Sequence, residues 1–201
     1  MFDSYDHEIR EALHKKKLRK YHQSTSETLV LDELGLLHGS NRIDVAVING
    51  NIHGYEIKSS KDTLKRLNGQ LKAYTAVLQK LTFVVAPNHF EELMDNIPCW
   101  SGVIIANKGS KGAITFKTLR HPKINPEFDP FSVSHLLWKN EAQSILKAKG
   151  LSTKDVNLNR KELYALICKH LETNEIVSSI KEAFIARADW RADELQMKYG
   201  D

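Results

Sequence analysis

The chain has 201 residues, 41% of them apolar and 27% charged, with a formal net charge of +4. That is enough for one ordinary domain, or a core with an appended subdomain, and a core of that size needs no disulfides. The mild positive balance is compatible with a polyanionic partner but does not demand one. In chain order, residues from Tyr5 to Tyr21 read as a helix with Ile9, Ala12 and Leu13 on one side. It ends in the basic run Lys15, Lys16, Lys17, Arg19 and Lys20, which suits either a solvated helix C-terminus or contact with phosphates. After the polar gap QSTSE, β-branched runs and short polar breaks predict strands over Thr28–Glu33, Arg42–Ile48 and Ile52–Ser59. Asn49-Gly50 joins the second and third as a hairpin.

From Lys61 to Gln79 the period turns helical, with Leu64, Leu67, Leu71, Tyr74 and Leu78 as one stripe and Ser60 or Asp62 as candidate caps. LTFVVAP reads as a strand buried on both faces, HFEELMDNI as a short helix, and SGVIIAN and AITFKTLR as two more strands. The proline-rich HPKINPEFDPFS is a linker or wrapping segment, followed by three helical patterns. The expected fold is α/β: a mixed central sheet flanked by helices over residues 1–122, with a C-terminal helical extension over 123–201 packed on that core.

The start MFDSYDHEIREALHKKK has no apolar region of the signal-peptide kind. No apolar run nears the roughly 20 residues that cross a bilayer. Cys99 and Cys168 are far apart and read as reduced thiols. The expectation is a cytoplasmic protein with no membrane partner. The nine histidines show no HxH or HxxxH pair, so no zinc site is expected; His53, on the hairpin, is the one placed near acids.

The chemistry-bearing residues lie on that hairpin. Glu56 and Lys58 are two apart in a strand, so they share a face, while Tyr55 and Ile57 take the other. Asp44 sits between Ile43 and Val45, where a core strand does not tolerate a charge without a partner or a task. A two-residue Asn49-Gly50 loop pairs Asp44 with Tyr55 and separates the acids. A three-residue loop, or one bulge, pairs Asp44 with Glu56. If the acids meet, their charges repel unless a cation lies between them, and hard oxygen donors suit Mg²⁺ or Mn²⁺. Such an ion activates water against a phosphodiester, and Lys58 can orient that water and offset phosphate charge. Glu33, closing the preceding strand, is a third candidate metal ligand. Arg66, Gln70 and Tyr74 line one helical track that can brace Lys58 or contact substrate; Gln70 is also a candidate catalytic residue.

The pattern Glu33…Gly39-x-x-Arg42-x-Asp44…Glu56-Ile57-Lys58-Ser59-x-x-Asp62…Gln70-x-x-x-Tyr74 resembles the PD-(D/E)xK nuclease superfamily, with its restriction-endonuclease-like fold. Within it, RIDVAVING-x-x-x-GYEIKSS is similar to a small bacterial family over most of the chain, and to DNA-repair-associated proteins with an EIKSS motif. The Gln70/Tyr74 pair resembles the Q-x-x-x-Y motif of RecB-type nucleases, although their histidine has no match here. The resemblance implies a metal site at Asp44 and Glu56, Lys58 as catalytic lysine, and DNA as substrate, with Arg42, Ser59, Arg66, Gln70 and Tyr74 as contacts. It implies a metal-dependent DNA nuclease in repair, phage defence or a mobile element, dimeric if it cuts both strands of a duplex. The alternative is an inactive nucleic-acid-binding module on the same fold.

Overall fold

A computed structural model describes residues 3–24 and 28–199, with side chains as far as residue 187. The chain divides into two compact units, Met1–Asp129 and Pro130–Asp201. The first is built on a six-stranded mixed sheet in the order β1-β2-β3-β4-β5-β6. Its strands are β1 (Leu29–Leu36), β2 (Asn41–Ile48), β3 (Ile52–Lys58), β4 (Lys80–Val85), β5 (Gly102–Lys108) and β6 (Ile114–Arg120). Strands β1 to β3 form an antiparallel meander, β3, β4 and β5 run parallel, and β6 returns antiparallel. The parallel step needs a crossover, supplied by helix α3 (Leu67–Val77).

Helix α1 (Asp6–Lys16) buries Ile9 and Leu13, with acids in its first turn and His14, Lys15 and Lys16 in its last, as the helix dipole favours. Glu8 reaches back to accept a hydrogen bond from the Tyr5 N–H at 2.9 Å. The single helix expected to Tyr21 is broken. Lys17 and Leu18 both donate to the Leu13 carbonyl, Leu18 turns fully into the core, and a short helix α2 (Arg19–His22) follows. Below α1, Ile9, Leu13 and Leu18 meet Val45, Val47, Tyr55, Ile57, Val84 and Ile104 in one dry cluster. These are the residues that alternation assigns to one sheet face.

The other face carries α3, which buries Leu67, Ala73, Tyr74 and Val77. It starts later than its apolar stripe predicts. Asp62 caps a turn instead of the helix, accepting from the Ser59 N–H and hydroxyl at 2.7 Å each. Gly54 lets the helix end approach the sheet: a Cβ there would lie 2.5 Å from Leu78 Cδ1. The prolyl segment after β6 closes the C-terminus of α3. The buried Asn125 donates to the Thr75 and Leu78 carbonyls at 2.6 and 2.8 Å, and Asp129 N–H to Ala76 O at 3.0 Å. Helix ends leave such carbonyls without partners. Residues 123–129, read from sequence as the start of the extension, thus belong to the first unit.

The second unit holds α5 (Pro130–Ser134), α6 (Lys139–Ala148), α7 (Arg160–His170) and α8 (Thr173–Tyr199); α4 (Phe90–Met94) precedes β5 in the first. The first of the three C-terminal patterns is two helices, α5 and α6. Asn159 and Glu162 form a reciprocal capping box on α7 at 3.0 and 3.1 Å. Arg187 pairs with Glu141 and stacks over Trp138 and Phe184. No helix among the described residues is long and apolar enough to cross a membrane.

Candidate active site

The hairpin meets the condition set by the sequence. Ile48 pairs with Ile52 and Val45 with Tyr55, so the loop is the three residues Asn49, Gly50 and Asn51. Gly50 takes a φ of 68°, where glycine is at ease, and Asn49 N–H donates to Asn51 O at 3.1 Å. This register places Asp44 opposite Glu56. The ladder stops one pair short of them, and on the other side it skips Glu33 opposite Asp44, resuming at Leu34↔Ile43. Glu33 has a φ of 55° at that break. Alternation fails there too: Val45 joins the cluster under α1, while Ile43 lies against Gly54 beside Leu78. Asp44 therefore stands where the strands diverge, and its Oδ2 accepts the Ile57 N–H at 2.6 Å.

Glu56 and Lys58 point toward α3 and are nearly closed off from water, at 2% and 10% side-chain exposure. Lys58 Nζ donates to Glu56 Oε1 at 2.6 Å and to Gln70 Oε1 at 3.3 Å. Gln70 Nε2 donates to the same Glu56 oxygen at 3.0 Å and to the Tyr74 hydroxyl at 3.1 Å. That hydroxyl lies 2.6 Å from Glu56 Oε2 and 2.9 Å from the Arg42 carbonyl, with one proton to share between them. The Gln70–Tyr74 spacing on α3 thus braces both the glutamate and the lysine. Tyr74, fully buried, combines core packing with this polar role.

Electrostatics follow from the burial. Asp44 is pushed up to about 7, first by burial and then by the charge of Glu56, against the Ile57 N–H and Arg10. Burial also raises Glu56, against Lys58, Tyr74 and Gln70. The same burial and carboxylate charge drive the Tyr74 phenol far above its usual range, so the hydroxyl keeps its proton.

A second layer was not foreseen from sequence. Arg10 of α1 pairs with Asp6 at 3.0 Å, with Glu33, and with Asp44 at 3.5 Å, and its buried Nε has no partner among the described residues. Glu33 is also held by Arg42 Nε at 3.1 Å. Its charge is therefore balanced by two guanidinium groups. The i, i+4 spacing of Asp6 and Arg10 was the only sequence signal for this cluster, and on a highly charged helix it does not stand out.

Glu33, Arg42, Asp44, Arg66 and Gln70, with Lys65, line an open cleft of about 790 Å³ between the β1–β2 turn and the start of α3. Glu56 and Lys58 do not line it; Gln70 links them to it. Ser59 is buried and committed to Asp62. His53 is on the opposite sheet face, away from the acids, stacked on Tyr55.

Among the described residues no three His, Cys, Asp or Glu side chains converge as a metal-holding group. The donor chemistry nonetheless fits a hard divalent cation. Asp44 and Glu56 are oxygen donors, the charge of Glu56 raises the proton affinity of Asp44, and Mg²⁺ commonly takes one or two carboxylates with the rest of its shell from water.

These features define a mixed α/β protein with a buried Glu–Lys pair, a Gln–Tyr brace and a second carboxylate at the mouth of a diverging hairpin. The chain belongs to the bacteriophage P4 protein cII family, which it matches over residues 2–197. It is 29% identical over 168 residues to Protein cII of Enterobacteria phage P4, a match covering 82% of this chain and 62% of that relative. The chain thus spans less than two thirds of the relative's length. No solved structure matches it.

Proposed function

We propose that this protein is a Mg²⁺- or Mn²⁺-dependent nuclease that hydrolyses DNA phosphodiester bonds, a member of the PD-(D/E)xK class with a restriction-endonuclease-like core. The observation that carries this reading is the three-residue hairpin loop, which sets Asp44 against the face bearing Glu56 and Lys58. Asp44 and Glu56 are the residues that would hold the cation, with Glu33 kept in reserve by its two arginines. A bound cation supplies Lewis-acid polarisation of the phosphate and lowers the pKa of a water. Lys58 would offset phosphate charge and orient the attacking water. Such a water would lose a proton as it adds to phosphorus, and the leaving oxygen would depart as its bond to phosphorus breaks and take up a proton from solvent. Gln70 and Tyr74 hold Glu56 in one orientation. Arg42, Lys65 and Arg66 give the cleft positive charge for the phosphate backbone. The phage origin of the relative favours a mobile-element setting.

One observation supports a second reading. Glu56 and Lys58 are nearly buried and their polar atoms well bonded, as in a protein that keeps the fold to bind nucleic acid without cutting. Contaminant-free protein incubated with plasmid and single-stranded DNA, in Mg²⁺, Mn²⁺ or EDTA, separates the two. The nuclease reading expects metal-dependent cutting that Glu56→Gln and Lys58→Ala abolish while DNA binding persists. Binding without cutting in either metal selects the second.

A further inference from the structure

The sheet face opposite Glu56 carries a cavity that the nuclease reading does not use. It measures about 350 Å³, the small end of ligand-pocket sizes, and its lining includes Lys17, Lys20, Lys80 and Arg120 but no aspartate or glutamate. None of these four cations pairs with a carboxylate among the described residues. Lys17 donates to the Thr118 hydroxyl at 3.1 Å, and Lys20 sits 4.8 Å over the Tyr21 ring. Arg120 spends its donors on the Ser101 and Pro98 carbonyls and the Ser101 hydroxyl, all neutral. Many surface lysines of the first unit also lack a carboxylate partner; what is particular here is that four cations surround one hollow whose lining has no acid to balance them.

The buried wall is aromatic. His53 stacks on Tyr55 with ring centroids 4.2 Å apart, and its Nε2 lies 2.9 Å from the Thr82 hydroxyl. Burial first, then the charges of Lys80 and Lys20, push His53 down to about 3, so the ring is neutral and registers the positive field around it. The basic run at the end of α1 is thereby sorted. Lys15 is tied to Glu11 and Lys16 to the Ile114 carbonyl, while Lys17 and Lys20 turn to the cavity.

We propose that this cavity binds the phosphate of a single nucleotide, its planar base lying against the tyrosine and histidine rings. Four cations without a carboxylate partner among the described residues call for a ligand carrying more than one negative charge. The aromatic wall calls for a flat ring. The volume limits the ligand to about one ring and one phosphate. A free mononucleotide and the phosphorylated end of a DNA strand both present this chemistry.

Calorimetric titration of the full chain at low ionic strength tests it, with dAMP, deoxyadenosine, inorganic phosphate, and a short single strand with and without a 5′-phosphate as probes. The expected result is that dAMP binds and deoxyadenosine does not. The Lys20→Ala/Lys80→Ala double variant, changed only at the rim, should bind at least about tenfold more weakly, as loss of two charge-assisted contacts implies. Its thermal melt checks folding. Glu56→Gln should leave dAMP binding unchanged, since it lies on the other face, which separates failure here from failure of the nuclease reading. A preference for the 5′-phosphorylated strand over the 5′-hydroxyl strand assigns the site to strand ends; its absence, with dAMP bound, assigns it to free nucleotide. Silence toward both dAMP and the phosphorylated strand, equal affinity in the double variant, or phosphate binding as tightly as dAMP would overturn the proposal.

Discussion

The two faces of the central sheet are made from the same strands and hold opposite kinds of residue. Toward α1, Val45, Val47, Tyr55, Ile57 and Val84 pack into a cluster with hardly a polar atom. Toward α3, the next residues along β3 are Glu56 and Lys58, buried as deeply and wired to Gln70 and Tyr74. Buried apolar area stabilises simply by leaving water, whereas a buried ion pair seldom stabilises more than an apolar replacement would. The α1 face explains why the chain folds. The α3 face holds groups that folding alone does not require, and so it is the face to search for catalysis.

Substitutions should separate the faces. The largest expected effect is on the α3 side: under the proposed nuclease reading, Glu56→Gln removes a metal ligand and should lower metal-dependent cleavage by about a thousandfold or more. A plasmid-nicking time course measures it, and residual cutting within tenfold of wild type would remove Glu56 from the site. On the α1 side, Leu13→Ala should cost about 2–5 kcal/mol in urea denaturation while leaving cleavage intact below the new melting point. Lys58→Ala tests whether the α3 face also contributes to stability. It leaves Glu56 buried without its cation and should cost about 3–5 kcal/mol. The double change Glu56→Gln/Lys58→Met should recover most of that loss. A double variant as unstable as Lys58→Ala would show that the pair is integral to the core.

Smaller effects concern charge. Asp44 holds its proton more tightly folded than unfolded, so the native state carries the extra proton between the ordinary carboxylate range and about 7. Its contribution to stability is greatest at the acid end of that window and is lost as pH rises through it, by at most about 1.4 kcal/mol per pH unit. Denaturation in EDTA from about pH 5 to about pH 7 should show this decline, and Mg²⁺ should flatten it. Stability rising with pH in EDTA would mean that burial and the charge of Glu56 together do not raise Asp44. The smallest effect is at Arg10, whose guanidinium already lends positive charge to Asp44 and Glu33. Arg10→Gln should tighten Mn²⁺ binding by about fivefold by calorimetry, the scale of one partly screened charge. Weaker binding would instead make Arg10 the residue that holds the acids in place for the ion.

Much of this was legible in the sequence because sheets have a period of two. That Glu56 and Lys58 share a face, and that Asp44 joins them only with an odd loop, follows from counting. Which loop forms does not, because Asn49-Gly50 serves a two-residue turn as readily as the three-residue one found here. Six strands and the crossover helix were readable from apolar runs and period changes. The break at Leu18 and the late start of α3 were not. Each depends on a long-range preference, for burying Leu18 in one case and for the Ser59–Asp62 turn in the other, that outweighs local helical pattern. Arg10 stayed hidden for the same reason: its partners Glu33 and Asp44 lie on strands far along the chain.

The tip of the β2–β3 hairpin acts as a parity device. Removing one residue from Asn49–Asn51, with a three-residue loop re-formed, would shift β3 by one place. Tyr55 and Ile57 would then turn toward α3, and Glu56 and Lys58 would be driven into the apolar cluster beneath α1. Adding two residues to the native tip would keep the phase and cost little beyond loop closure. Relatives and engineered variants should therefore tolerate length changes here in twos and reject them in ones. A ladder of hairpin lengths, scored for folding alone, should alternate between success and failure.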